Sequence, residues 1–191
     1  AEILFNRKHF DQALTDYKQL KAKATTTERR QLAATGMLRS AAMMQDDVET
    51  IAAATDMLAE AKLTPELRNE ALYFRAKAYL NQQADKKAMN DLQALAKDTR
   101  TLYGAEAKYL VALQLYKAHE YAAAEKEILN FIEQSTPHAY WLARSFILLS
   151  DVYVAMDKKL DARQYLLSLQ QNYHADDDIE QMINERLEKL K

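Results

Sequence analysis

YAAAEKEILNFI (121–132) places Tyr121, Ala124 and Ile128 on one face of a helix, while charged Glu125, Lys126 and Glu127 read as solvated. FDQALTDYKQL (10–20) and LDARQYLLSL (160–169) repeat the pattern, an aromatic or aliphatic residue and an alanine opening a helix. The unit, a helix, a tight turn and a second helix, recurs every 36 to 38 residues. A fixed period of this size predicts units that bury their apolar faces only by stacking on one another.

Composition agrees with an all-α chain. Two Gly and two Pro in 191 residues leave little material for β-turns or long loops. The net charge is −2 with both signs interspersed, so no basic footprint for nucleic acid or an anionic membrane is expected. The chain has no cysteine, which rules out disulfides and thiolate metal sites. Its longest strictly aliphatic or aromatic run, Phe146 to Leu149, is far short of a membrane span, so no membrane insertion is expected.

Working outward, helices are predicted from Thr27 to Met44 and Val48 to Lys62, then to Asn81 after the cap and proline Thr64-Pro65. Further helices follow at Asp85 to Lys97, Gly104 to Ala118 and Tyr121 to Gln134. After Ser135-Thr136-Pro137, a second cap-plus-proline signal, come 138–156 and 159–173. Asp176, Asp177 and Asp178 offer an N-cap and first-turn charge to a last helix. Its apolar stripe is Ile179, Met182, Ile183, Leu187 and Leu190; Glu180, Glu185, Glu188 and Lys189 make the other face. Ile3, Leu4 and Phe5 read as the end of a first helix whose earlier turns are missing, so the first repeat is expected to be truncated. Such an apolar end could support self-association. Small residues at Ala13, Ala88, Ala124 and Ala162 let two helices approach, and Tyr17, Leu92, Ile128 and Leu166 fill the next turn.

The units resemble tetratricopeptide repeats. The resemblance rests on Phe146, Leu149, Ser150, Tyr153, Ala162 and Leu166 in the fifth pair, and on Val111, Ala112, Leu115, Tyr121, Ala124 and Ile128 in the fourth. Ala76, Tyr79, Ala88 and Leu92 fit in the third, with Arg75 where leucine is expected; the second pair puts Ile51 or Ala52 at the alanine position. The family implies a right-handed α–α superhelix of about five helix pairs over 1–174, closed by a capping helix at 175–191 of the same domain. The longer period, with YGAEAKYLVA (103–112) and 143–166, is similar to TolA-binding repeat proteins and outer-membrane assembly lipoproteins of the bacterial envelope. That likeness favours a periplasmic or outer-membrane-associated setting over the cytoplasm.

The family's groove is lined by the first helix of each pair. Carried over, this implies Tyr73, Lys77 and Asn81; Tyr109, Leu113, Tyr116 and Lys117; and Ile147, Asp151 and Val154. Tyrosines join contact area to a polar tip and suit a protein or peptide partner. The competing reading of Tyr73 and Tyr109 is packing between repeats; Tyr116 and Trp141 read as packing residues. The Lys/Asn/Arg clamp with which some family members grip a terminal carboxylate is missing as a set.

No catalytic, cofactor-binding or metal-ligating constellation stands out. His9, His119, His138 and His174 are scattered, and no two lie four apart. Asp176 to Asp178 lack the spaced ligands and glycine turn of a calcium loop. Gly36 and Gly104 stand alone, so there is no phosphate loop, and the helical serines have no elbow or histidine nearby in sequence. The expected function is a non-enzymatic scaffold or adaptor that binds a protein segment on a concave face. The alternatives are an architectural spacer or self-association module and, less favoured, a helical enzyme.

Overall fold

The structure, a computed structural model, describes all residues 1–191 and contains only helices and their connections. They are α1 (Glu2–Asn6), α2 (Phe10–Lys23), α3 (Thr27–Met43), α4 (Asp47–Leu58), α5 (Pro65–Asn81), α6 (Asp85–Leu95), α7 (Leu102–Lys117), α8 (Tyr121–Glu133), α9 (Ala139–Ala155), α10 (Lys159–Asn172) and α11 (Ile179–Lys189). None is long and apolar enough to cross a membrane. The chain forms two compact units, Ala1–Ala94 and Leu95–Lys191.

One turn recurs in both units. Lys8, Gln45, Gln83, His119 and Asp157 all hold the left-handed conformation, with φ between 57° and 63°. Each follows a helix end and donates its N–H three residues back, to the carbonyl of Phe5, Ala42, Leu80, Tyr116 or Val154. The next N–H reaches five residues back, to Leu4, Ala41, Tyr79, Leu115 or Tyr153. This pair of bonds is the Schellman closure, which satisfies two carbonyls that a helix end would orphan. The five turns lie 36 to 38 residues apart, the spacing read from the sequence.

Counted from these turns, the small position five residues on is Ala13, Thr50, Ala88, Ala124 or Ala162, all buried. The second pair therefore has buried Thr50 at this place rather than half-buried Ile51 or exposed Ala52. Four positions later stand Tyr17, Ala54, Leu92, Ile128 and Leu166, also buried. Ala54 is the smallest of these. Met57, Leu38, Ala34, Ala53 and Ala71 close around it in one apolar cluster. Arg75, where the repeat pattern has leucine, is explained by Asp91. Its guanidinium donates twice to that buried carboxylate (2.8 Å each) and once to the Thr55 hydroxyl (3.1 Å), tying α5 to α6 and α4.

In the first unit α2 packs on α3, α3 on α4 and α4 on α5. In the second, α7 packs on α8, both pack on α9, and α10 and α11 continue the sequence. Ile179 and Ile183 of α11 are buried among Ala143 and Ile147 of α9 and Leu166 and Leu169 of α10. Glu180, Glu185, Glu188 and Lys189 stay exposed, as the stripe requires.

Helix ends differ from expectation in several places: α4 stops at Leu58 rather than Lys62 and α6 at Leu95 rather than Lys97. Helix α7 starts at Leu102 rather than Gly104, because Thr101 is the cap and its hydroxyl accepts the Gly104 N–H. A Cβ on Gly104 would sit 1.9 Å from the Asp98 carbonyl oxygen, so glycine serves close approach there. Thr136-Pro137 does not cap α9, which begins at Ala139. The Thr136 hydroxyl instead donates to the Thr99 carbonyl (2.7 Å), and His138 Nε2 lies 3.0 Å from the Arg100 carbonyl, so the segment staples the 98–101 connection. In the acidic run, Asp177 rather than Asp178 accepts the Ile179 N–H, while Asp178 faces Arg144.

Candidate functional site

In the first unit, three of the residues singled out by sequence meet in one place. Tyr73, Lys77 and Asn81 project from successive turns of α5 toward the α3–α4 turn. With Phe74, Ala78, Ala42, Gln45, Asp47 and Thr50 they line an open depression of about 200 Å³. The spacing of four puts them on one helical face. Tyr73 and Phe74 meet edge to face at 5.5 Å, and the Lys77 ammonium lies 5.8 Å from the Tyr73 ring centre. Asn81 donates to Asp47 (3.0 Å), which fixes the amide across the opening. Asp46 caps α4 through the Glu49 N–H, and Met43, Met44 and Val48 stand exposed on the same turn.

In the second unit, the corresponding residues are divided. Tyr109 and Ile147 are buried (7% and 1% exposed) and pack. Tyr109 rests on Trp141 (5.5 Å between ring centres) and accepts from Arg144 (3.2 Å). Arg144 also lies over the Tyr140 ring, donates to its hydroxyl and pairs with Asp178, so one guanidinium joins α7, α9 and the start of α11. Asp151 is held by both arms of Arg186 (2.8 and 2.7 Å). Leu113 is half-buried, Lys117 exposed. Tyr116 packs on Tyr121 (5.7 Å); burial raises its pKa, and the Asp151 carboxylate adds to the rise. Val154 is exposed on the α9–α10 turn.

A second depression, about 420 Å³, opens between that turn and α11. Six of its lining positions match the first depression at a constant offset of 112 residues: Ala42 and Val154, Asp47 and Lys159, Tyr73 and Glu185, Phe74 and Arg186, Lys77 and Lys189, Ala78 and Leu190. The repeat thus places an opening at one register position and varies its chemistry. It is aromatic with one carboxylate in the first unit and densely charged in the second. Ala42, Gln45, Asp47, Thr50 and Phe74 were not singled out from sequence. Their signal was the distance from the turn, which is hidden until Gln45 is seen to be left-handed.

No cluster of three or more His, Asp or Glu side chains is arranged to hold a metal. Compared with protein-family models and with curated proteins, the sequence matches none.

Proposed function

We propose that the chain is a tetratricopeptide-like α-solenoid that binds a segment of a partner protein. The observation that carries the reading is the meeting of Tyr73, Lys77 and Asn81 in one open depression beside exposed Met43, Met44 and Val48. Rings, an ammonium, an amide and exposed methionines are recognition groups, and methionine suits adaptable contact surfaces. The solenoid reading draws support from five turns of one geometry, 36 to 38 residues apart, and from polar contacts about one period apart, such as Arg144 with Tyr109 and Asp178, and Arg186 with Asp151. A framework already rigid before binding loses little freedom when a segment docks.

The test is affinity capture from native extract with the parent and with Tyr73→Ala/Asn81→Ala, after both are shown to be folded by circular dichroism. A protein held by the parent and released by the variant supports docking at this surface. Equal capture by both places recognition elsewhere. Retention of nothing but the chain itself moves the weight to a self-associating spacer.

A further inference from the structure

The opening at Ala42 and Asp47 occupies a place that two of the other four turns fill with a pair of their own rings. Three residues before and two after each left-handed turn residue stand Phe5 and Phe10, Ala42 and Asp47, Leu80 and Asp85, Tyr116 and Tyr121, and Val154 and Lys159. At the first of these turns Phe5 and Phe10 meet edge to face at 5.2 Å. At the α7–α8 turn Tyr116 and Tyr121 lie 5.7 Å apart, with His119 hydrogen-bonded to the Tyr121 hydroxyl. At the α3–α4 turn an alanine and an aspartate replace the pair, while the opposite wall keeps Tyr73 and Phe74.

We infer that this depression is a subsite for an aromatic side chain of a partner segment, with a lysine or arginine next to it in that segment. The inference deepens the docking function proposed above and rests on it. The aromatic follows from the chain's own usage: rings occupy the equivalent place in two other turns, and the half-buried Phe74 ring stands in the wall of this one. The volume of about 200 Å³ would otherwise hold several waters at roughly 30 Å³ each, against an apolar wall of Phe74, Ala42 and Ala78. The cation follows from charge. Asp47 lines the depression and exposed Asp46 precedes it in the chain; Asp46 is engaged by a backbone N–H and Asp47 by the Asn81 amide, and neither is paired with a cation. The related depression in the second unit has Lys159 at the place of Asp47 and is not expected to share this preference.

The test is selection of a random-peptide display library on the intact chain, followed by affinity measurement of the selected peptides on variants. Ala42→Phe refills the space as Phe5 does, and Asp47→Lys installs the residue that α10 carries there. The expected result is recurrent peptides with an aromatic residue beside Lys or Arg. They should bind Ala42→Phe at least about tenfold more weakly and lose their preference for the flanking cation on Asp47→Lys. Selected peptides without an aromatic, or ones that bind Ala42→Phe as well as the parent, overturn the subsite while docking elsewhere stands. Failure to select any peptide on the parent removes the docking function itself and this inference with it. Should Ala42→Phe not fold, Ala42→Leu, the residue of the third repeat, narrows the same space and is read by the same criteria.

Discussion

Lys8, Gln45, Gln83, His119 and Asp157 hold a backbone conformation that ordinary L-residues adopt at a cost of about 1–2 kcal/mol. None is glycine, so each turn gives up some stability that a glycine would restore, less the extra entropy glycine loses on folding. Gln83→Gly is expected to raise stability by up to about 1 kcal/mol, and Gln83→Val to lower it by a similar amount or more. Urea unfolding of the two variants checks this; a neutral Val substitution contradicts the left-handed turn. Arg75 and Asp91 make a second case. Asp91→Ala leaves a largely buried guanidinium without its carboxylate and is expected to cost about 3 kcal/mol. Replacing both by leucine restores what the repeat pattern has at position 75, and should recover most of that loss in the same assay. If the double substitution is as damaging as the single one, the pair does more than neutralise itself.

At the scale of elements, packing decides which helix faces inward, and the alanines show it. Ala124 and Ala162 are wholly buried where α8 meets α7 and α10 meets α9, so there is no room for a larger side chain. Ala124→Trp is expected to cost about 1–3 kcal/mol or more by overpacking. Ile183→Ala in α11 should cost about 2–5 kcal/mol, because Ile183 is 1% exposed in the cluster shared by α9, α10 and α11. Thermal melts of both, beside exposed Glu188→Ala as a neutral control, separate buried from solvated positions. A parent-like melt for Ile183→Ala would mean that α11 is only loosely held. Helix existence and inward faces were legible because 3.6-residue periodicity is a property of the chain itself. Helix starts were less so. Thr101 and Ser135-Thr136-Pro137 present similar cap chemistry, yet the first caps α7 while Thr136 bonds across to Thr99, a choice made by a segment 37 residues away. The candidate site was half legible: the four-residue spacing gave Tyr73, Lys77 and Asn81 one face, but the opposite wall comes from a turn whose geometry no local pattern announces.

For the whole molecule, tyrosine governs the response to alkali. Tyr17, Tyr116, Tyr140, Tyr153 and Tyr173, drawn from both units, all have raised pKa values, and in each the leading cause is burial. In Tyr173 the rise reaches about 12, from 10.0, as its hydroxyl also donates to Asp177 and that bond would be lost on ionisation. A raised tyrosine pKa means that the folded state prefers the neutral ring. The associated stability is fully present below pH 10 and is lost as pH climbs through the folded value. Stability is therefore expected to be flat on this account up to about pH 10 and to fall beyond it, in step with tyrosinate formation. Tyr173→Phe removes one ionising group and the Asp177 bond together. It should lower stability modestly at neutral pH and make the fall between pH 10 and about 12 shallower than in the parent. Urea unfolding across that range, with tyrosinate absorbance followed in parallel, measures both. A variant whose fall is as steep as the parent's would show that Tyr173 ionises as freely in the folded chain as in the unfolded one, and would place the alkaline response on the other four rings.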